Sequence, residues 1–221
     1  MNSAVAFPLE VPVSADRVYE IPPVEPSFKP AYQAAKHLFD LVVSALALLL
    51  LGIPMLFLAL LIRLDSPGPA LFRQERLGLD GRPFLIFKFR TMRLDAERDG
   101  PRWAEEHDPR CTKLGLLLRK SRLDELPQLF NVLRGDMSLV GPRPERQYFY
   151  DLFETYIHGF RNRLKVLPGI TGWAQVNGGY SLLPEEKILY DMDYIRHRSL
   201  WMDLKCLFRT IAVLFSHEGA R

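Results

Sequence analysis

The sequence predicts an α+β fold: a small, mostly helical domain with a short β-hairpin, carried behind an apolar, membrane-embedded helix. Three observations predict it. Leu41 to Ile62 is a run of 22 residues without a charge. Two short apolar stretches, Ala70–Gln74 and Phe84–Phe89, are joined through Gly78-Leu79-Asp80-Gly81, a hairpin signal. Most later apolar residues recur at three- and four-residue steps, the period of amphipathic helices.

The uncharged run follows Lys36 and His37 and precedes Arg63, so both ends carry a basic anchor and charge does not choose an orientation. About 20 apolar residues span a bilayer, which makes one transmembrane helix the default reading. Gly52 and Pro54 complicate it, because Pro54 lacks an N–H and its ring clashes with the carbonyl of Leu50 in the middle of the run. Each half is about 11 residues, or roughly 16 Å of helix, against a hydrocarbon core of ~30 Å. A helix–break–helix that enters one leaflet and returns fits those lengths too, so spacing alone leaves a kinked span and a re-entrant hairpin both open. Ahead of it, Pro8, Pro12, Pro22, Pro23, Pro26 and Pro30 exclude a long helix, and residues 1–35 read as a Pro-rich disordered tail. No basic stretch leads directly into an apolar core there, so it is not a signal peptide.

Residues 64–221 read as one domain on one side of the membrane, since no further long apolar run follows Arg63. Asp65-Ser66-Pro67-Gly68-Pro69 is a turn. Leu94–Glu106 is charged, a partly exposed helix or loop. Thr112–Lys120 is helical in spacing. Leu123–Leu133 reads as another helix, with Pro127 confined to its first turn and Gly135 as its stop. Phe149, Leu152, Phe153, Tyr156, Ile157, Phe160 and Leu164 form the core-facing stripe of an amphipathic helix. Leu200–Phe215 is a second such helix, with Lys205 and Arg209 on its polar side, facing either core or headgroups.

The chain of 221 residues is 48% hydrophobic and 25% charged, the composition of a folded protein, with a formal net charge of +3. Residues 1–62 hold three basic and five acidic side chains, which leaves residues 63–221 at +5. That balance suits anionic partners at a membrane surface and is feeble for nucleic acid. Cys111 and Cys206 lie far apart without zinc spacing and read as free thiols of a reducing compartment.

The densest chemistry is Ser121-Arg122-Leu123-Asp124-Glu125-Leu126-Pro127-Gln128. Two carboxylates at a helix start meet free N–H groups and a partial positive charge, which keeps them ionised. Such a pair suits nucleophilic attack on phosphorus or ligation of a hard cation, though Ser121-x-x-Asp124 also matches a capping box. Arg119, Lys120, Arg122 and Arg134 flank it. Arg143, fixed between Pro142 and Pro144, suits bidentate phosphate recognition. Lys88 and Arg90 alternate with Phe87 and Phe89, which on a strand turns both cations to one face. Pro168–Gly179 is a glycine-rich loop able to contact a nucleotide or sugar, without P-loop spacing. Asp191, Asp193 and Asp203 are too scattered for a metal site.

Together these strings resemble the bacterial sugar transferases, the monotopic polyprenyl-phosphate phosphoglycosyl transferases, from about Lys36 to Phe215. Asp65-Ser66-Pro67-Gly68-Pro69, Phe72–Arg76, Lys88–Met92, Asp124–Gln128, Gly135–Pro144 and Gly172–Gly178 carry the resemblance in order. It implies that Asp124 is a nucleophile that takes a phosphosugar from a UDP-sugar, expels UMP and yields the group to polyprenyl phosphate. It also implies that Glu125 deprotonates the acceptor or, with Asp124, holds Mg2+. By the same resemblance Arg119 and Arg143 contact phosphates or the nucleotide, and Lys88, Arg90, Pro142 and Pro144 are counted with them.

A re-entrant helix over residues 36–63, broken at Gly52 and Pro54, replaces the span in such proteins. Ile53 departs from the Ser that often precedes the break proline, and only a Pro-rich tail precedes Lys36, as in the minimal form. Gly178-Gly179-Tyr180 and the run from Leu183 look closer to exopolysaccharide-type enzymes and point to a hexose, glucose or galactose. The expected partners are thus a UDP-sugar, polyprenyl phosphate, membrane lipid and a second copy in a homodimer, with no nucleic acid. The expected location is the bacterial inner membrane, with the domain facing the cytoplasm. The rivals are a metal-dependent enzyme working by direct displacement and a basic membrane scaffold.

Overall fold

The structure, a computed structural model, describes residues 17–26, 29–98, 108–179 and 182–216, of which residues 214–216 are described by their backbone alone. Tyr19–Glu20 (β1) pairs in parallel with Ile157–His158 (β5), and Ile21 and Val24 are buried in the main core. The expected disordered tail is therefore corrected over residues 17–26, while residues 1–16 lie outside the described residues. Proline forbids a helix but not an extended edge strand, and that is the form the segment takes.

Pro30–Asp65 is one continuous helix, α1, with Pro54 inside it. A helix–break–helix division at Gly52 and Pro54 is not what the backbone does. At 1.5 Å per residue α1 is ~54 Å long. Asp40, Ser44, Met55 and Ile62 are buried, and Leu48, Leu51, Leu58 and Ala59 are packed beside them, a single line at steps of three and four. The opposite face is bare: Leu49, Leu50 and Ile53 are 79, 76 and 81% exposed. A helix in the core of a soluble protein buries most of its surface. This one is long and apolar enough to cross a membrane and shows water a stripe of leucines.

Both ends of α1 are fastened to the same domain. Near its start, Tyr32 donates to Asp203 at 2.9 Å and Lys36 pairs with Asp203 at 3.2 Å. Asp40 accepts from the Ser138 hydroxyl at 2.7 Å and the Leu139 N–H at 3.3 Å. At its end, Arg90 donates to the carbonyls of Ile62, Ser66 and Pro67 and to the Ser66 hydroxyl. Gly68, at φ +117°, turns the chain around that guanidinium. Helix ends leave carbonyls unpaired, and Arg90 satisfies them.

Leu71–Leu77 (β2) and Pro83–Phe89 (β3) form the expected antiparallel hairpin, in register from Leu71 opposite Phe89 to Leu77 opposite Pro83. Thr112 caps Lys113–Lys120 (α2) by accepting from the Gly115 N–H at 2.9 Å. The expected single helix over Leu123–Leu133 is instead a 3-10 turn, Leu123–Gln128, followed by Leu129–Leu133 (α3). Pro127 supplies no N–H, so the α-helical ladder starts only after it. Gly135 does end α3, at φ +80°.

The aromatic stripe is core, as its spacing predicts, but not one helix. Gln147–Glu154 (α4) stops, β5 follows, and a 3-10 turn runs over Phe160–Lys165. Gly159 makes the break at φ +91°, where a Cβ would sit 2.6 Å from the Ile21 carbonyl, so β1 can lie there only against glycine. Phe153 still meets Phe160 edge-on at 5.1 Å. Ser138–Val140 (β4) pairs in parallel with Gly169–Thr171 (β6), and Trp173–Val176 (α5), Pro184–His197 (α6) and Leu200–Ser216 (α7) complete the domain. Of Leu94–Glu106, turns extend to Arg98 and residues 99–107 lie outside the described residues.

Arg90 follows β3 and lines the same cavity as Lys88, and its guanidinium is also engaged as the cap of α1. Arg90→Leu should lower the stability of the detergent-solubilised chain by roughly 2–4 kcal/mol, since buried carbonyls lose a charged donor. An unchanged denaturation midpoint would contradict the capping role of Arg90.

Candidate active site

The two carboxylates sit on the 3-10 turn after α2, and three contacts decide where they point. Gly115 lies against the Thr91 backbone, where any Cβ would collide, so α2 docks directly on the end of β3. Asn131 then ties the turn to the hairpin, donating to the Leu85 carbonyl at 2.7 Å and accepting from the Phe87 N–H at 3.0 Å. Arg122 breaks α2 in the left-handed region, at φ 56° and ψ 15°, which redirects the chain just before Asp124. For a non-glycine residue that conformation costs about 1 kcal/mol and concentrates at functional sites.

Asp124 and Glu125 line a cavity of about 440 Å3 with Lys88, Arg119 and Arg143, all five brought together as expected. Nine basic side chains line it against four carboxylates, which suits a multiply charged anion. Arg119 donates from Nε to the Thr91 hydroxyl at 2.9 Å, leaving the guanidinium ends toward the cavity. Glu125 accepts from Lys88 at 3.1 Å and from both terminal nitrogens of Arg143. Pro142 and Pro144 are buried and hold the loop. The Pro142 carbonyl accepts from the Gly169 N–H at 3.0 Å, the Pro144 carbonyl from Arg76 at 3.3 Å and the Arg143 carbonyl from Arg163 at 3.0 Å.

Burial acts oppositely on the two acids. Burial, helped by neighbouring Glu125, pushes Asp124 up to about 6 against the pull of Lys88, Arg119 and Arg143. Burial pushes Glu125 up too, but the Arg143 guanidinium and Lys88 outweigh it and hold that carboxyl well below the usual range. The expectation that a helix start keeps both acids ionised is thereby refined: the cations, more than the backbone, decide which acid carries the charge.

Several residues that support the site have no signal in the sequence. The buried ion pair Arg163–Asp191, at 2.6 Å, stands behind Arg143. A smaller cavity of about 30 Å3, lined by Arg122, Arg143, Arg163, Gln175 and Lys187, adjoins the first. The glycine-rich loop mostly builds β6 and α5 and braces the Pro-Arg-Pro loop. Asp193 faces His197 and Asp203 faces Lys36, so the scattered aspartates are structural partners. Both cysteines are free, with Cys206 buried and pushed up to about 12 by that burial.

An acid whose folded pKa is raised favours the protonated form, so Asp124 costs stability as pH rises from its ordinary value to about 6. Asp124→Asn should therefore be more stable than the native chain by up to ~3 kcal/mol at pH 8, and by less near pH 4.5. Thermal unfolding across that range tests it, and a gap independent of pH would contradict a buried, proton-favouring Asp124.

The comparisons with known proteins agree with this geometry. Residues 31–217 match the bacterial sugar transferase family. The chain is 45% identical over 195 residues to a UDP-N-acetylgalactosamine-undecaprenyl-phosphate N-acetylgalactosaminephosphotransferase of Aeromonas hydrophila, covering 87% of this chain and 46% of that protein. It is 42% identical over 190 residues to a UDP-glucose:undecaprenyl-phosphate glucose-1-phosphate transferase of Escherichia coli K12, covering 84% and 41%. A protein of the latter description from Caulobacter vibrioides is 46% identical over 197 residues, covering 86% and 73%. The chain thus spans less than half the length of the first two relatives and nearly three quarters of the third. With the match running from the start of α1 to the end of α7, the chain belongs to the bacterial sugar transferase family.

Proposed function

We propose that this protein transfers a sugar-1-phosphate from a UDP-sugar to a polyprenyl phosphate, undecaprenyl phosphate being the acceptor its relatives name, and so begins the assembly of a membrane-borne glycan. The observation that carries the reading is the split acid pair in a cationic cavity. Glu125 is committed to Lys88 and Arg143, whereas Asp124 is free of that clamp and faces space large enough for a nucleotide sugar.

In the proposed reaction an Asp124 carboxylate oxygen attacks the phosphorus that bears the sugar. The bridging P–O bond breaks and UMP leaves with its electron pair. An oxygen of the polyprenyl phosphate then attacks the same phosphorus, the bond to Asp124 breaks, and the lipid-linked diphosphosugar departs. Arg119 and Arg143 meet the charge that develops on the non-bridging oxygens. Glu125 is a poor base with its pKa held so low. Its role is better read as orienting Lys88 and Arg143 than as deprotonating the acceptor.

Among the described residues no group of three or more His, Cys, Asp or Glu could hold a metal ion. Mg2+ often takes only one or two carboxylates and completes its shell with phosphate oxygens and water, so the site fits it through Asp124 and the substrate, with Glu125 already occupied. Bound there, the ion would neutralise phosphate charge.

The membrane reading follows from α1. Residues 32–40 and 62–66 both hold the same domain, so the two ends of the apolar helix belong on one side of the bilayer. This supports a monotopic seat, with the unbroken α1 lying in one leaflet and the domain at the cytoplasmic face where nucleotide sugars are made. The relatives name glucose and N-acetylgalactosamine as the sugar moved, so a hexose such as glucose or galactose is the donor class proposed here.

A donor screen reading UMP release with polyprenyl phosphate present tests the activity, and exhaustive chelation should stop turnover. Asp124→Asn should lose at least ~10³-fold, the scale of a lost covalent nucleophile. Retention of a tenth of the native rate would remove Asp124 from that role. For the seat, cysteines placed at Ser3 and Ser216 on a background lacking Cys111 and Cys206 should resist an impermeant thiol reagent until cells are lysed. Labelling at position 3 in intact cells would mean that α1 spans.

A further inference from the structure

Beyond its substrates, we propose that this chain binds the headgroup of an anionic phospholipid at a site formed by Trp173, Lys205 and Arg209, an inference that rests on the membrane-seated reading above.

The site is built by α7 against α5. One face of α7 is fixed in the core through Asp203 and Cys206, and Asp203 is held by Tyr32, Lys36 and Tyr194. Its other face is apolar and open: Trp201 is 75% and Phe208 68% exposed, with Ile211 beyond them. Lys205 and Arg209 stand one helical turn apart along the edge of that face. Both lean over the same indole, Lys205 Nζ 5.1 Å and Arg209 Cζ 5.0 Å from the Trp173 ring centre. Arg209 also donates to the Asn177 side-chain carbonyl at 2.6 Å. Trp173 and Asn177 thus hold two flexible cations side by side.

Some surface cations among the described residues are matched with acids, Arg146 with Glu97, Arg161 with Asp151 and Lys165 with Glu25, and others such as Lys113 and Lys120 stand singly without a shared aromatic ring. Among the described residues neither Lys205 nor Arg209 has a carboxylate within ion-pair distance. Two adjacent cations without counter-charge, bordered by exposed aromatic side chains, match the boundary where acyl chains give way to phosphates. A zwitterionic headgroup brings its own ammonium to cancel the attraction. An anionic one, such as phosphatidylglycerol, does not, and each basic residue near such a surface strengthens attachment about fivefold. Two of them give roughly a 30-fold preference. The occupied site would set how far the domain rolls about α1, and hence the height of the cavity mouth above the headgroups.

The test uses the full chain in nanodiscs, with Trp103→Phe and Trp201→Phe so that Trp173 alone reports. A minor fraction of phosphatidylglycerol or of phosphatidylcholine carries bromine high on its acyl chains. Trp173 should be quenched more strongly by the brominated phosphatidylglycerol. K205Q/R209Q should erase the preference and K205R/R209K should keep it, while UMP release in detergent stays near native in both. Equal quenching by the two lipids, or a preference that survives K205Q/R209Q, would overturn the proposal and leave the membrane seat intact. Loss of the preference in discs on addition of inorganic phosphate at constant ionic strength would assign the site to free phosphate and overturn the lipid. No quenching by either lipid would fail the membrane reading as well.

Discussion

Asp203 is the point on which this architecture depends. Its two carboxylate oxygens accept from Tyr32 and Tyr194 and face Lys36, so one buried charge joins α1, α6 and α7. A buried carboxylate with fewer partners would cost several kcal/mol. With this set it fixes the angle of the apolar helix to the domain, and Arg90 fixes the other end. The apolar helix and the turn that carries Asp124 then become one frame, since α1 packs on α3 and α3 continues that turn.

Within that frame the site separates two acids that are neighbours in sequence. Glu125 collects the cations and stays charged, so Lys88 and Arg143 are oriented before substrate arrives. Asp124 is left more reluctant to ionise, so its carboxylate is the less stabilised of the two by its surroundings. The cost in folding free energy is local, and the cavity's excess of positive charge limits it.

Much of this was legible in the residues. The hairpin, the uncharged run and the Asp124–Glu125 pair have local signatures in turn residues, composition and adjacent charge. Arg143 between two prolines was legible for the same reason. Alternation placed Arg90 beside Lys88 at the cavity but gave no sign that its guanidinium also closes the end of α1. The helix read over Phe149–Leu164 failed because Gly159 and β1 come together from opposite ends of the chain, and periodicity sees only one of them. Asn131, Arg163 and Asp191 carry no local mark at all, since each matters through partners 46, 20 and 28 residues away.

The distance between Tyr32 and Asp203 has a consequence for biogenesis. The two are 171 residues apart, and at ribosomal rates the second emerges roughly 10–30 s after the first. Throughout that interval α1 exists without the groups that will fasten it, and Lys36 and Asp40, one turn apart, have chiefly each other. An exposed leucine-rich helix cannot wait that long in water without aggregating. Insertion of α1 into lipid before the domain closes avoids that exposure, and the joint at Asp203 is completed only once α7 has been made.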